Sequence, residues 1–254
     1  MSRITCIALL TFLFSGVTAQ KEFNKWYFGR YAGLDFNTPT PSVITHTTMF
    51  TWEGCSSISD ANGNLLMYTD GSTIWNGLQQ VMANGTGLLG STLSSQSSLI
   101  LQLPGSAVIY YVFTNVGFNI PNVPNVNYSI VDMSLATGNG SVVTKNAILS
   151  ADQNTEVLTA TRHCNGTDWW IVTHIRSSNV FVSYLLTSTG ITPGFVASPQ
   201  GPTLSSGLQK FCEGVLQRFW HCVMMLLIPK ISKVFIKCEW QPDVCEVCCA
   251  IFRL

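Results

Sequence analysis

The sequence predicts an all-β protein: a partial β-propeller of four-stranded antiparallel blades, followed by an irregular C-terminal tail. Three features predict it. Asn-Gly pairs recur along the chain, the segments between them are short and rich in β-branched and aromatic residues, and two successive groups of strands share one rhythm. Composition agrees: charged residues are only 10% of the 254, so the helix formers Glu and Lys are scarce, while Gly, Asn, Ser and Thr are abundant.

The first residues read as an export signal. Arg3 gives a short basic start, an apolar run extends from Ile4 to Phe14, and Ser15-Gly16-Val17-Thr18-Ala19 ends it. Val17 and Ala19 supply the modest side chains a signal peptidase accepts three and one residues before its cut, so cleavage is expected between Ala19 and Gln20. A membrane-crossing helix needs roughly 20 apolar residues, about twice what this run offers, so no integral span is expected. Cys6 lacks a small-residue lipobox, which argues against lipidation. The expected organisation is thus a signal peptide over 1–19, an incomplete propeller-like domain over 20–207 and an aberrant Cys-rich tail over 208–254. About 235 residues remain after cleavage, enough for one all-β domain with a large core or two small ones.

Within the domain, Asn62-Gly63, Asn76-Gly77, Asn84-Gly85, Asn139-Gly140 and Asn165-Gly166 mark hairpins, because a type I′ turn needs positive φ at both central residues. The intervening segments Ser97 to Leu103, Ala107 to Thr114, Tyr128 to Met133, Ser141 to Leu149, Val157 to Arg162, Trp169 to His174 and Val180 to Thr187 are each one strand long. Tyr110-Tyr111-Val112-Phe113-Thr114 is followed by Tyr128-Ser129-Ile130-Val131-Asp132, as Asp168-Trp169-Trp170-Ile171-Val172-Thr173-His174 is followed by Ser183-Tyr184-Leu185-Leu186-Thr187. The repeat of about 55 to 60 residues exceeds the usual blade period and implies loop insertions. A β-sandwich would give similar strands, and the repeat favours the propeller.

From Leu208 the Asn-Gly turns vanish and Cys212, Cys222, Cys238, Cys245, Cys248 and Cys249 crowd together. A disulfide or metal module, a membrane-associated segment and an out-of-frame tail all fit that change. The third is favoured, because the strand pattern stops mid-unit and leaves too few blades to close a ring. A frameshift near Gly207 is the corresponding expectation.

Several motifs together resemble the N-terminal region of large secreted surface proteins of Bacteroidetes, of the type IX secretion or gliding-associated, PKD-containing kind. They are Trp26-Tyr27-Phe28-Gly29, Ala32-Gly33-Leu34-Asp35-Phe36, Glu53-Gly54-Cys55, Ile58 to Leu66 and Tyr68-Thr69-Asp70-Gly71 with Ile74-Trp75-Asn76, continued by Met82 to Gly90, Tyr128 to Leu135 and His163 to His174. The resemblance covers nearly all of Lys21 to Pro193. It implies a propeller-like domain on a cell-surface protein without assigned chemistry, and the sequence departs from the pattern after Gly207.

Charge and motifs narrow the function classes. The formal net charge is +0, so there is no electrostatic footprint for nucleic acid. Asp70-Gly71-Ser72-Thr73-Ile74-Trp75 resembles the Asp-box hairpin of sialidases with shifted offsets, and such boxes are structural turns. Glu53, Asp60, Asp70, Asp132 and Asp168 are numerous enough for a glycosidase pair, yet Asp60 and Asp168 sit beside Asn-Gly turns, where Asp bonds its own backbone. No set of metal ligands converges and no cofactor is expected; Cys245 and Cys248 have half a zinc spacing without a partner pair. Trp26, Trp52, Trp75, Trp169 and Trp170 are candidates for sugar stacking or for packing between strands, and Arg30, Arg162 and Arg176 for clamping a carboxylate. Strand alternation sends Trp169 and Trp170 to opposite faces, leaving one free to face solvent. The candidate ligand-binding set is Trp75, Trp170, Arg162 and His174. Cys55 and Cys164 are the cysteines between leader and tail, and an oxidising exterior makes them candidates for a disulfide. The resulting reading is a secreted, non-enzymatic binding or adhesion module with a glycan or cell-surface protein as partner; the alternative is a propeller-fold carbohydrate-active hydrolase.

Overall fold

The computed structural model describes residues 21–117 and 125–199, and the regular elements there are strands apart from a short 3-10 turn at Ala136–Gly138. β1 (Lys25–Phe28), β2 (Ala32–Asp35) and β3 (Ser42–Ile44) form a three-stranded antiparallel sheet. β4 (Ser56–Ser59), β5 (Leu65–Thr69), β6 (Thr73–Asn76) and β7 (Val81–Thr86) run as one antiparallel meander, and β8 (Ser98–Gln102), β9 (Ile109–Asn115), β10 (Val126–Asp132) and β11 (Ser141–Ser150) as a second. A single parallel pairing, Ala83 opposite Ser141, joins β7 to β11 and makes the two meanders one eight-stranded sheet. β12 (Asn154–Arg162), β13 (Trp169–Ile175), β14 (Phe181–Thr187) and β15 (Gly190–Ile191) form a third meander, with β16 (Val196–Ser198) also paired to β14.

The meanders pack face to face in chain order, and strand alternation explains how. In β9, Tyr110 and Val112 point to one face while Tyr111 and Phe113 point to the other. The first pair joins Ile58, Met67, Ile74 and Met82 from the β4–β7 meander in one core, and the second joins Leu158, Ile171, Val182 and Leu186 from the β12–β15 sheet in another. A smaller core of Tyr27, Met49 and Tyr68 lies between β1–β3 and the outer face of β4–β7. The β8–β11 meander thus contributes apolar side chains to a core on each face, and its strands β8 and β9 read as near-continuous hydrophobic runs rather than alternating ones.

Side chains join the first strands of these layers. Ser57 Oγ donates to the Lys25 carbonyl (2.8 Å), and Ser56 and Ser98, on opposite end strands of the eight-stranded sheet, approach to 2.8 Å through their hydroxyls. That sheet is accordingly curled until its ends meet. Asn115 and Asn125 donate through Nδ2 to the Thr155 and Asn154 carbonyls (2.9 and 3.0 Å), and Leu158 N donates to Gln96 Oε1 (2.8 Å). These bonds satisfy part of the open edge of β12 without a ladder.

The repeated rhythm falls on equivalent places: β9 and β13 are the second strands of their meanders, β10 and β14 the third. Asn62-Gly63 and Asn165-Gly166 close hairpins, through Asp60 N to Asn64 O (2.8 Å) and His163 N to Asp168 O (2.9 Å), but only the Gly of each pair takes positive φ, so neither is the expected type I′ turn. Asn84-Gly85 corrects the expectation: it lies inside β7, where Asn84 takes φ +57° and its Nδ2 reaches across to the Val142 carbonyl (2.9 Å).

The Cys55–Cys164 disulfide is not formed. Cys55 Sγ donates to the Tyr27 carbonyl (3.3 Å) beside β4, whereas Cys164 is exposed on the β12–β13 turn. Among the described residues no helix is long and apolar enough to cross a membrane. The signal segment, the Ala19–Gln20 cut and the cysteine-rich tail lie outside the described residues.

Candidate functional site

The four residues chosen from sequence do not converge. Trp75 on β6 is half-buried, its ring stacked on Tyr68 (5.3 Å, 12°), which in turn stacks on Tyr27 (4.5 Å, 16°); it packs two layers together. His174 on β13 is fully buried with the Phe181 ring against it at 4.7 Å. Arg162 ends β12 with its guanidinium 3.7 Å over the Trp169 ring, while Nη1 donates to the Thr167 carbonyl (2.7 Å) across the turn. Trp170 faces away from that pair and lies 5.6 Å from the His163 ring. Trp169 and Trp170 are both half-buried, so neither is the solvent-facing ring that alternation allowed.

The acids of the Asp-box and the turns are occupied as turn residues. Asp70 is buried, and its Oδ1 accepts from Ser72 N, Ser72 Oγ and Thr73 N, each at 2.8 Å. Asp60 Oδ1 accepts from Asn62 N (2.9 Å) and Asn64 N (2.8 Å). Burial works to raise the Asp60 carboxyl, but these bonds and those from the Asn64 side chain and Gly63 outweigh it and hold the group below its ordinary value. Asp168 Oδ2 accepts from Asn165 Nδ2 (2.8 Å) within its own turn.

An exposed aromatic surface lies elsewhere, where the β1–β2 turn meets the segment before β4. An isolated antiparallel bridge pairs Arg30 with Phe50, and flanking bonds run from Tyr31 N to Met49 O and from Thr51 N to Gly29 O, both 3.0 Å. This brings together Tyr31 (53% exposed), Phe50 and Trp52 (55% exposed). Phe50 tilts against Tyr31 at 5.8 Å and meets Trp52 edge-on at 5.3 Å. The Arg30 guanidinium lies 4.3 Å over the Trp52 ring and 5.2 Å over Phe50, and it makes no ion pair with a described carboxylate. Its planar donor fork is held by the rings and left open for an acceptor.

Next along the chain from Trp52 begins a polar junction where the approaches to β4, β8 and β12 meet. Gly54 N donates to Ser94 O (2.9 Å) and Ser97 Oγ to Gly54 O (2.6 Å). The approach is so close that a β-carbon on Gly54 would stand 2.3 Å from Ser97 N, which reserves the position for glycine. Glu156 is buried on β12, and its Oε2 accepts from Ser95 N (2.8 Å) and Ser95 Oγ (3.0 Å); Glu53 Oε2 approaches the same hydroxyl at 3.3 Å. Two carboxylates from different layers thus share one serine. Burial also pushes the neighbouring Cys55 thiol up to about 12, making it inert at neutral pH.

Of this surface, the sequence singled out Trp52, Arg30 and Glu53, but not as a group. Arg30-Tyr31 and Phe50-Thr51-Trp52 are brought together by the isolated bridge, which has no periodic signal. Glu156 shows no motif; its role arises only where three loops converge. Searched against protein-family models, curated proteins and solved structures, the chain matches none.

Proposed function

We propose that the chain is a secreted, non-enzymatic binding or adhesion module that recognises a surface glycan. The observation that carries this reading is the Tyr31–Phe50–Trp52 surface with Arg30 laid across it. Exposed aromatic faces stack on the apolar face of a sugar ring, and a guanidinium supplies paired donors to its hydroxyls or carboxylate. The scaffold in this reading is part of a β-propeller, with blades β4–β7, β8–β11 and β12–β15. Its support is that each is a sequential meander, that the meanders pack face to face, and that first strands β4 and β8 meet. The aromatic surface then lies beside the loops around the axis, a common place for ligands. Export and a place on the cell surface belong to the same proposal and rest on the leader-like segment and the resemblance to Bacteroidetes surface proteins.

Glycan-array binding by the purified protein, without turnover of the bound sugar, is the expected result, and Trp52→Ala should weaken it about tenfold or more. Failure of every glycan to bind, or unchanged binding by Trp52→Ala, would overturn the reading. The hydrolase alternative draws support from Glu53 and Glu156 sharing Ser95, since paired carboxyl groups drive glycoside hydrolysis. Release of sugar from a sialoside or arabinoside, lost in Glu53→Gln, would establish it in place of simple binding.

A further inference from the structure

Each layer of this fold lies on the next in the order of the chain: the β1–β3 sheet on β4–β7, that meander on β8–β11, and β8–β11 on β12–β15. The last of these sheets meets its neighbour through the face that carries Ile171, Val182, Tyr184 and Leu186. Strand register defines the opposite face. Trp170 stands opposite Leu185, Val172 opposite Ser183, and Ser183 opposite Val196 of β16, so these side chains share one side of the sheet with Phe181. None of Trp170, Val172, Phe181, Leu185 and Val196 belongs to the three cores, and Val196 is 57% exposed. Among the described residues no further layer packs on this side. A contiguous apolar face of this kind marks a surface that something covers.

We propose that this outward face is the docking surface for the chain's own C-terminal residues, with the run Phe219 to Ile228 seated on Trp170, Val172 and Leu185. Pro199, the last described residue, directly follows β16, which is paired to β14 of the same sheet, so the chain continues from the margin of this face. Gln200 to Leu254 is a longer stretch than the one that builds the β12–β16 layer. The residues between Pro199 and Phe219 can extend over roughly 60 Å, several times the width of a four-stranded sheet. Phe219 to Ile228 is apolar at every position but His221, and it needs cover as much as the face does. Seated there, the tail carries the chain-order stacking one step further and is part of the fold rather than an out-of-frame appendage. It is independent of glycan recognition, so either proposal can fail alone.

The test uses the full chain with the photo-crosslinker p-benzoylphenylalanine in place of Thr159, which is exposed on β12 opposite Val172 and so leaves room for a large side chain. Irradiation of dilute protein and peptide mapping should join this position to residues 208–254 of the same molecule, chiefly within Phe219 to Ile228. The same probe in place of Leu78, 61% exposed on the turn before β7, should not reach them. Leu185→Lys should lower Tm by about 3–8 °C, because a covered face strips water from the ammonium, whereas on an open face Tm would stay within about 1 °C. Should Leu185→Lys fail to fold, the Thr159 cross-link decides. Cross-links that miss the tail, or a Tm unmoved by Leu185→Lys, would overturn the proposal. Cross-links to a second molecule, with a dimer on size-exclusion chromatography, would overturn it in favour of another copy of the chain on this face.

Discussion

Two arginine–tryptophan pairs stand among the described residues, and they have opposite fates. At the β12–β13 turn Arg162 covers Trp169 and spends a donor on the Thr167 carbonyl, while Trp169 packs against the core shared by β8–β11 and β12–β15. At the β1–β2 turn Arg30 covers Trp52, but that indole is more than half exposed, and two further aromatic rings adjoin it. The contact is the same; its surroundings decide whether it closes a turn or faces a ligand. A residue pair read from sequence therefore carries little functional meaning until the burial of its aromatic partner is known.

The largest expected contrast is chemical. Cys55 lies three positions after Trp52 and Cys164 two after Arg162; the first is held against a carbonyl with its thiol raised to about 12, the second is exposed. Alkylation at pH 8 followed by mass spectrometry should modify Cys164 about a hundredfold faster or more, since a thiol raised that far holds almost no thiolate. Comparable rates would mean that the approach to β4 opens readily.

Next in size is the effect of the indoles. Trp52→Ala should weaken glycan binding about tenfold or more with little change in Tm. Trp169→Ala should leave binding intact and cost about 1–3 kcal/mol of stability in urea denaturation, less than a fully buried aromatic would. If the two variants exchange these phenotypes, the assignment of the two pairs is reversed.

The arginines should follow with smaller effects of the same sign. Arg30→Ala is expected to reduce binding by about two- to fivefold, and Arg162→Ala to lower stability by about 0.5–1 kcal/mol, the range of an exposed cation–π contact. Binding isotherms and urea curves on both variants separate the outcomes.

The smallest effect is electrostatic and belongs to the first sheet. Lys25 Nζ lies 2.6 Å from Asp35 Oδ2. Burial acts to raise the Asp35 carboxyl, but the bonds from Lys25 and Asn37 outweigh it and hold the group below its ordinary value. A depressed carboxyl contributes stability that is present above its unfolded value, near 3.8, and is lost as pH falls through the folded one. Asp35→Asn should therefore cost about 0.5 kcal/mol at pH 7 and flatten the acid limb of the stability curve. An acid limb identical in both proteins would show that the ion pair contributes nothing.

Much of the fold was legible from local signals, because β-branched runs and Asn-Gly turns act within a few residues. The strands predicted between Ser97 and Thr187 are β8 to β14 with ends displaced by a few residues. Asn84-Gly85 misled because positive φ also serves a bend inside a strand. The site was less legible because the layers hide what residue type suggests. Trp75 and His174 were chosen for their chemistry, yet Trp75 lies on a face that the β1–β3 layer covers and His174 is buried against Phe181 of the adjacent strand. Trp52 stays exposed because it precedes β4 rather than standing within a stacked strand, a distinction that alternation along one strand cannot supply.

The β8–β11 meander, packed through β9 on both faces, makes the fold a laminate in which the middle ply gives water little but its β11 edge. Each face of it is completed by a different neighbour, so neither neighbour can peel away without uncovering Val112 on one side or Phe113 on the other. In nearest-neighbour terms the interface energies exceed what any single ply could hold alone, and cooperativity runs outward from the centre. Fraying should begin at the outermost strands and reach β9 last, so that the slowest-exchanging amides of the molecule mark its middle rather than its ends.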